Sequence, residues 1–127
     1  MKLPNSPQLN ILIADDDLSM NKALSRLLCA AGHRVELAAS GPEALFCFQR
    51  ERFHLVITDY QMPGMRGDEL AVAIKALAPS QPILMLTAYA EHLRSSSGSL
   101  CAVDMVIDKP CLAKELFAAI EKLLEKP

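Results

Sequence analysis

An α/β fold, a doubly wound and mainly parallel sheet, is predicted for this 127-residue chain by three observations. Apolar runs alternate with helical patterns five times along the sequence. Two of the runs, Leu55 to Thr58 and Ile83 to Leu86, carry no solvent-facing alternation, as in strands covered on both faces. Three runs end in charge: Ile11-Leu12-Ile13-Ala14 leads into Asp15-Asp16-Asp17, Leu55-Val56-Ile57-Thr58 into Asp59, and Met105-Val106-Ile107 into Asp108-Lys109-Pro110. In open parallel sheets ligands sit at the carboxyl ends of the strands, where these charges fall.

Each element has its own warrant. Residues 9–14 read as a buried strand. Residues 18–31 read as a helix, because Met20, Ala23, Leu24, Leu27, Leu28 and Ala31 recur at i, i+3, i+4 spacing. Asp17 is placed as its N-cap and Gly32 as its stop. Residues 34–38 alternate, as a half-buried strand does. Ser40 caps a second helix with Pro42 in its first turn, running to about Glu51. Residues 55–58 form the third strand, and residues 62–67, with two glycines and a proline, a loop. A third helix spans 68–77 and ends before Pro79. Strands follow at 83–86 and 103–107. The final helix, 112–124, aligns Leu112, Leu116, Ile120, Leu123 and Leu124 on one stripe. Between the last two strands, residues 91–100 hold Ser-Ser-Ser-Gly-Ser. Mid-helix Gly costs about 1 kcal/mol relative to Ala, so this fourth helix is expected to be short, frayed or irregular.

The length suits one domain with one core. Residues 1–8 read as a flexible N-terminus and 9–125 as the folded unit. At 51% hydrophobic and 22% charged, the composition is that of a soluble globular protein. A net charge of −2 provides no footprint for direct nucleic-acid binding or for an anionic membrane surface. No run approaches the ~18 apolar residues of a membrane span, and residues 1–10 lack the apolar stretch of a secretory signal. The four cysteines, Cys29, Cys47, Cys101 and Cys111, show neither C-x-x-C pairs nor metal-finger spacing. They read as reduced thiols of a cytoplasmic protein, with Cys29 and Cys47 as small buried hydrophobes in helices.

If the charged runs are neighbouring strands, at least three carboxylates and one ammonium converge. Two carboxylates ~4 Å apart repel by about 4 kcal/mol at an effective dielectric of 20. A hard, oxygen-loving divalent ion such as Mg²⁺ relieves that repulsion and commonly shares its shell with phosphate.

Four pieces in this order carry a resemblance: Ile-Ala-Asp-Asp-Asp at 13–17, Thr-Asp-Tyr-Gln-Met-Pro-Gly-Met at 58–65, Leu-Thr-Ala at 86–88 and Asp-Lys-Pro at 108–110. The chain resembles the receiver domain of two-component response regulators, of the chemotaxis-regulator type, over about residues 10–124. The resemblance implies a flavodoxin-like sheet of strand order 2-1-3-4-5 with five helices. It implies that Asp59 accepts a phosphoryl group from a phosphohistidine on a sensor histidine kinase or phosphotransfer protein. Mg²⁺ would be held by Asp16, a carboxylate oxygen of Asp59 and the backbone carbonyl of Gln61, with Asp15 acting through water. Lys109, aimed by a cis peptide before Pro110, and the Thr87 hydroxyl would contact the phosphoryl oxygens. Gln61 and Tyr89 would tune its hydrolysis. The kinase would dock on the first helix near Met20, Ala23 and Leu24 and on the loop after Lys109. Output would use the fourth helix, fifth strand and fifth helix. Such a domain is a phospho-acceptor rather than an enzyme, catalysing only its own phosphoryl transfer and slow autodephosphorylation.

Two positions depart from the family pattern. Val106 stands where an aromatic ring usually reports phosphorylation to the far face. Asp108 puts a charge beside Lys109, and strand alternation points it outward. Asp17 is a cap rather than a ligand. Two rival readings remain open on sequence. One is a constitutive protein-interaction module with an idle site. The other is a small phosphatase of the haloacid dehalogenase type, with Asp15 of Asp15-x-Asp17 as nucleophile.

Overall fold

A computed structural model of the chain describes residues 8–88, 90, 101–109 and 111–125. Five strands form one parallel sheet: β1 (Asn10–Ala14), β2 (Arg34–Ala38), β3 (Leu55–Thr58), β4 (Ile83–Thr87) and β5 (Met105–Asp108). Their order is β2-β1-β3-β4-β5, as expected. Among the described residues four helices accompany them: α1 (Leu18–Ala30), α2 (Gly41–Arg50), α3 (Gly67–Leu77) and α4 (Ala113–Leu124). The irregular helix expected over 91–100 lies outside the described residues, as does most of the N-terminal segment.

Strand alternation explains the unbroken apolar runs. Ile11 and Ile13 of β1, Leu55 and Ile57 of β3, and Leu84 and Leu86 of β4 pack with Leu24 and Leu28 of α1 and Leu116 and Ile120 of α4. The intervening Leu12, Ala14 and Val56 face the other way, against Ala44 and Cys47 of α2 and Leu70, Ala71 and Ile74 of α3. Each fully buried aliphatic side chain contributes about 2 kcal/mol. A central strand buried on both faces therefore has no position to give to a polar residue until it ends, which is why the charges collect at the strand termini.

The helix ends follow local chemistry. Asp17 Oδ1 accepts from the N–H groups of Ser19 (3.0 Å) and Met20 (3.2 Å), capping α1. Gly32, at φ 98°, ends it in the left-handed region that favours glycine. Ser40 Oγ accepts from Glu43 N (3.2 Å), and Glu43 Oε1 from Ala39 N (3.1 Å), at the start of α2. The entry to β1 is held from both sides: Leu9 N–H donates to His33 Nδ1 (3.1 Å) and Asn10 N–H to His54 Nδ1 (2.8 Å).

Four details differ from the sequence expectations. β5 begins at Met105 rather than 103, because the Asp104 side chain is spent on a long-range contact with the start of β4. Its Oδ2 accepts from Ile83 N (2.8 Å) and Lys75 Nζ (2.9 Å). Leu112 precedes α4 and is 62% exposed, so the buried stripe starts at Leu116. Cys29 is exposed, whereas Cys47 is buried as expected. The inward face of α1 is Asn21, Leu24 and Leu28, leaving Ala23 outside. Leu24 belongs to the core and presents no docking surface.

Candidate functional site

β1 is the first strand and β3 lies beside it, while β2 lies on the opposite side of β1. The chain thus reverses its winding between β1 and β3, and that switch point opens a crevice at the carboxyl ends of the strands. Asp15 and Asp16 leave β1 there, and Asp59 leaves β3. Backbone bonds carry the register past the strand ends. Asp15 N–H donates to the Ala38 carbonyl (3.1 Å), Asp59 N–H to that of Ala14 (2.9 Å), and Lys109 N–H to that of Thr87 (3.0 Å).

The side chains converge. Carboxylate oxygens of Asp15, Asp16 and Asp59 all lie within 4.8 Å of one another. Lys109 Nζ donates to Asp15 Oδ2 at 2.9 Å and stands 3.5 Å from Asp59 Oδ2. Asp15 is 2% exposed. Its other oxygen accepts from Asp17 N–H (3.0 Å), so both are in use. Asp59 Oδ1 accepts from Tyr60 N–H (2.8 Å), which sets its rotamer. The Asp59 carbonyl accepts from the Thr58 hydroxyl (2.8 Å). Asp16 is exposed at the mouth.

The electrostatics are those of a site short of cations. Burial pushes the Asp59 carboxyl above its ordinary range; Lys109 opposes the rise and the Asp15 charge adds to it. Burial also pulls on the Lys109 ammonium, but its hydrogen bond to Asp15 and the charges of Asp59 and Asp15 outweigh that and raise its pKa. Three carboxylates and one ammonium leave an excess of negative charge. The donor set is all hard oxygen, which suits Mg²⁺ and not a soft transition metal.

The remaining predicted residues are placed as follows. Thr87 is fully buried at the end of β4, and its carbonyl ties that strand to Lys109. Gln61 is exposed in the loop after β3. Val106 is half-buried on β5, opposite Met85. Asp108 is exposed, consistent with strand alternation. Tyr89 and Pro110 lie outside the described residues. Asp17 commits its carboxylate to the α1 cap and is not part of the carboxylate group. With Asp17 turned to the cap, it does not stand beside Asp15 as the second carboxylate that an Asp15-x-Asp17 phosphatase would use.

Sequence patterns missed Gly67. Its N–H donates to the Tyr60 carbonyl (2.7 Å), and a Cβ there would overlap the carbonyl oxygen of Asp59. Glycine thus lets α3 begin directly against the residue at the centre of the site. The only signal in the sequence is a glycine in the first turn of a helix, where most other residues form helix better.

Comparison with known proteins decides the family. A sequence model described as the response regulator receiver domain matches residues 11–121. The chain belongs to this family. Among relatives, "Response regulator MprA" of Mycobacterium leprae is 34% identical over 93% of this chain and 52% of that protein. "Transcriptional regulatory protein GlrR" of Escherichia coli is 32% identical over 92% of this chain and 26% of that protein. The chain therefore spans about half the length of one and a quarter of the other. Among solved structures, the chemotaxis response regulator CheY4 of Vibrio cholerae superposes with a TM-score of 0.83 at 31% identity, covering 92% of this chain and 99% of that one. The response regulator TrrA of Thermotoga maritima, solved in complex with Mg(2+)-BeF, gives 0.84 at 33% identity, covering 91% and 99%. Receiver domains are in general phospho-acceptors rather than enzymes, bind Mg²⁺ at an aspartate cluster and interact with histidine kinases. In this receiver domain the grouped aspartates are Asp15, Asp16 and Asp59. Among the described residues no helix is long and apolar enough to cross a membrane.

Proposed function

We propose that residues 9–125 form a phospho-accepting signalling unit, with Asp59 receiving a phosphoryl group from a histidine kinase or phosphotransfer protein in the cytoplasm. The observation that carries this reading is the placement of Lys109 Nζ between Asp15 (2.9 Å) and Asp59 (3.5 Å) at the switch point. An isolated aspartate cap or a solvated acidic turn needs no such cation.

In the proposed transfer, an Asp59 oxygen forms the new P–O bond as the P–N bond to the donor imidazole breaks, and the bonding pair leaves with the imidazole. Phosphoryl transfer needs alignment and charge neutralisation more than covalent assistance. Tyr60 N–H fixes the carboxylate rotamer for the in-line approach. Lys109 is close enough to turn from Asp59 Oδ2 to an incoming phosphoryl oxygen, and the Thr87 hydroxyl is the proposed donor to a second. Asp16, Asp59 and the Gln61 carbonyl would hold Mg²⁺ directly and Asp15 through water. Bound there, Mg²⁺ supplies positive charge against the phosphoryl oxygens. Gln61 and Tyr89 would set how fast water reaches the aspartyl phosphate. Val106, in place of a ring, would leave the signal to travel through the segment after Thr87 to an output partner.

Binding of beryllofluoride with Mg²⁺, followed by fluorine NMR, tests this reading. A bound signal in the wild type, absent in Asp59→Asn, is expected. A signal retained in Asp59→Asn, or absent from the wild type, would overturn it.

A further inference from the structure

We infer that Asn21 is a positioning residue for the acidic pocket: its carboxamide grips the backbone of Asp15 from below and so fixes the carboxylate that meets Lys109. The inference rests on the phospho-acceptor reading above.

Asn21 is 2% exposed on the inward face of α1. Its Nδ2 donates to the Asp15 carbonyl at 2.7 Å and lies 3.5 Å from that of Ala38. Ala38 ends β2, and its carbonyl also accepts from Asp15 N–H. One amide group therefore spans the carboxyl ends of two strands directly beneath the pocket. Turning the Asp15 peptide would swing the Cα–Cβ bond and carry the carboxylate away from both Lys109 and Asp17 N–H.

Packing does not explain the residue. The other inward positions of α1 are Leu24 and Leu28, and the position three residues before Leu24 is one a core helix fills with an aliphatic side chain. Asn21 Oδ1, moreover, is buried with no hydrogen-bond partner among the described residues. Flipping the amide would not help, because Oδ1 would then face two carbonyl oxygens. An unsatisfied buried acceptor opposes folding. The chain keeps an amide where leucine would pack better, and what that amide holds is the backbone of a pocket carboxylate. Residues that orient metal-binding groups from behind have this profile.

Calorimetric titration of Mg²⁺ into wild type, Asn21→Leu and Asn21→Asp, with thermal melts in EDTA, separates positioning from packing. Asn21→Leu removes the orphan acceptor, so its Tm without Mg²⁺ is expected to stay within about 5 °C of wild type. Its Mg²⁺ affinity is expected to fall about 10- to 100-fold. Asn21→Asp adds negative charge beside the pocket, yet loses the grip on the Asp15 carbonyl and is expected to bind Mg²⁺ more weakly as well. If Asn21→Leu does not fold, Asn21→Ser, too short to span both carbonyls, reads the same quantity. Unchanged affinity in Asn21→Leu (or Asn21→Ser), or tighter binding in Asn21→Asp, would overturn the inference while leaving the functional reading intact. A wild type without Mg²⁺ affinity would overturn that reading and this inference together.

Discussion

The Lys109 ammonium is nearer to Asp15, at 2.9 Å, than to Asp59, at 3.5 Å. The buried, doubly bonded Asp15 is thus its resting partner, and Asp59 keeps the looser contact. A nucleophile must be reachable, and the geometry leaves the more accessible carboxylate less tightly paired. Asp15 is 3% and Asp59 14% exposed by side chain.

Removing that ammonium leaves the carboxylates uncompensated. Lys109→Met is expected to lower stability by about 3 kcal/mol in EDTA, since breaking a buried pair strands the remaining charge. Added Mg²⁺ should recover part of the loss. Because folding raises the Lys109 pKa, its contribution is complete below the unfolded value of 10.5 and fades as pH climbs through the higher folded value. Urea melts of wild type and variant across pH 8–12, with and without Mg²⁺, check both points; equal stabilities at pH 8 would refute the role.

Asp59 has the opposite sign. Its folded pKa lies above the unfolded value of 3.8, chiefly through burial, so the folded state favours the proton. Its charged form therefore opposes folding. The penalty is absent below 3.8, grows as pH rises from there toward the raised folded value, and is complete only above that value. Asp59→Asn is expected to be more stable than wild type at pH 7 in EDTA, with the gap closing toward pH 3. Thermal melts at the two pH values decide it, and a destabilised Asp59→Asn at pH 7 would contradict the electrostatics.

Two glycines separate strain from function. Gly67→Ala drives a methyl into the Asp59 carbonyl and is expected to cost about 2–3 kcal/mol and to weaken Mg²⁺ binding, as overpacking displaces backbone. Gly64→Ala meets no neighbouring atom, but sits at φ +84°, and should cost about 1–2 kcal/mol with Mg²⁺ affinity kept. Equal Mg²⁺ affinities for both variants would remove Gly67 from the site.

Asp104 is predicted to matter through backbone rather than charge. Asp104→Ala orphans the Ile83 N–H and should cost about 2 kcal/mol. Lys75→Met breaks only the partly exposed ion pair and should cost less than about 1 kcal/mol. Denaturant unfolding of the two variants gives the comparison, and equal losses would assign the effect to the ion pair.

What the sequence made legible, and what it did not, divides along a physical line. The strands were readable because burial on both faces excludes polar residues until the chain emerges. That same exclusion marks Asp15, Asp16, Asp59 and Lys109 as strand-end charges. The caps at Asp17 and Ser40 were readable because a cap is settled within a few residues of its own sequence. Ala23, Leu112 and Cys29 were misjudged because helical spacing defines a stripe without saying where it starts, and a small turn about the helix axis puts Asn21 inside and Ala23 outside. The start of β5 depended on Asp104 reaching Ile83, 21 residues away, a contact no local pattern encodes. Gly67 was invisible for the same reason: its neighbour, the Asp59 carbonyl, is set by how α3 docks.

The most direct test of the account is site-resolved mass spectrometry after treatment with acetyl phosphate and Mg²⁺, with borohydride trapping. The account predicts a single modified aspartate, Asp59, in the wild type and no modification in Asp59→Asn. Modification of Asp15 in either protein, or an unmodified Asp59 in Mg²⁺-saturated wild type, would contradict it.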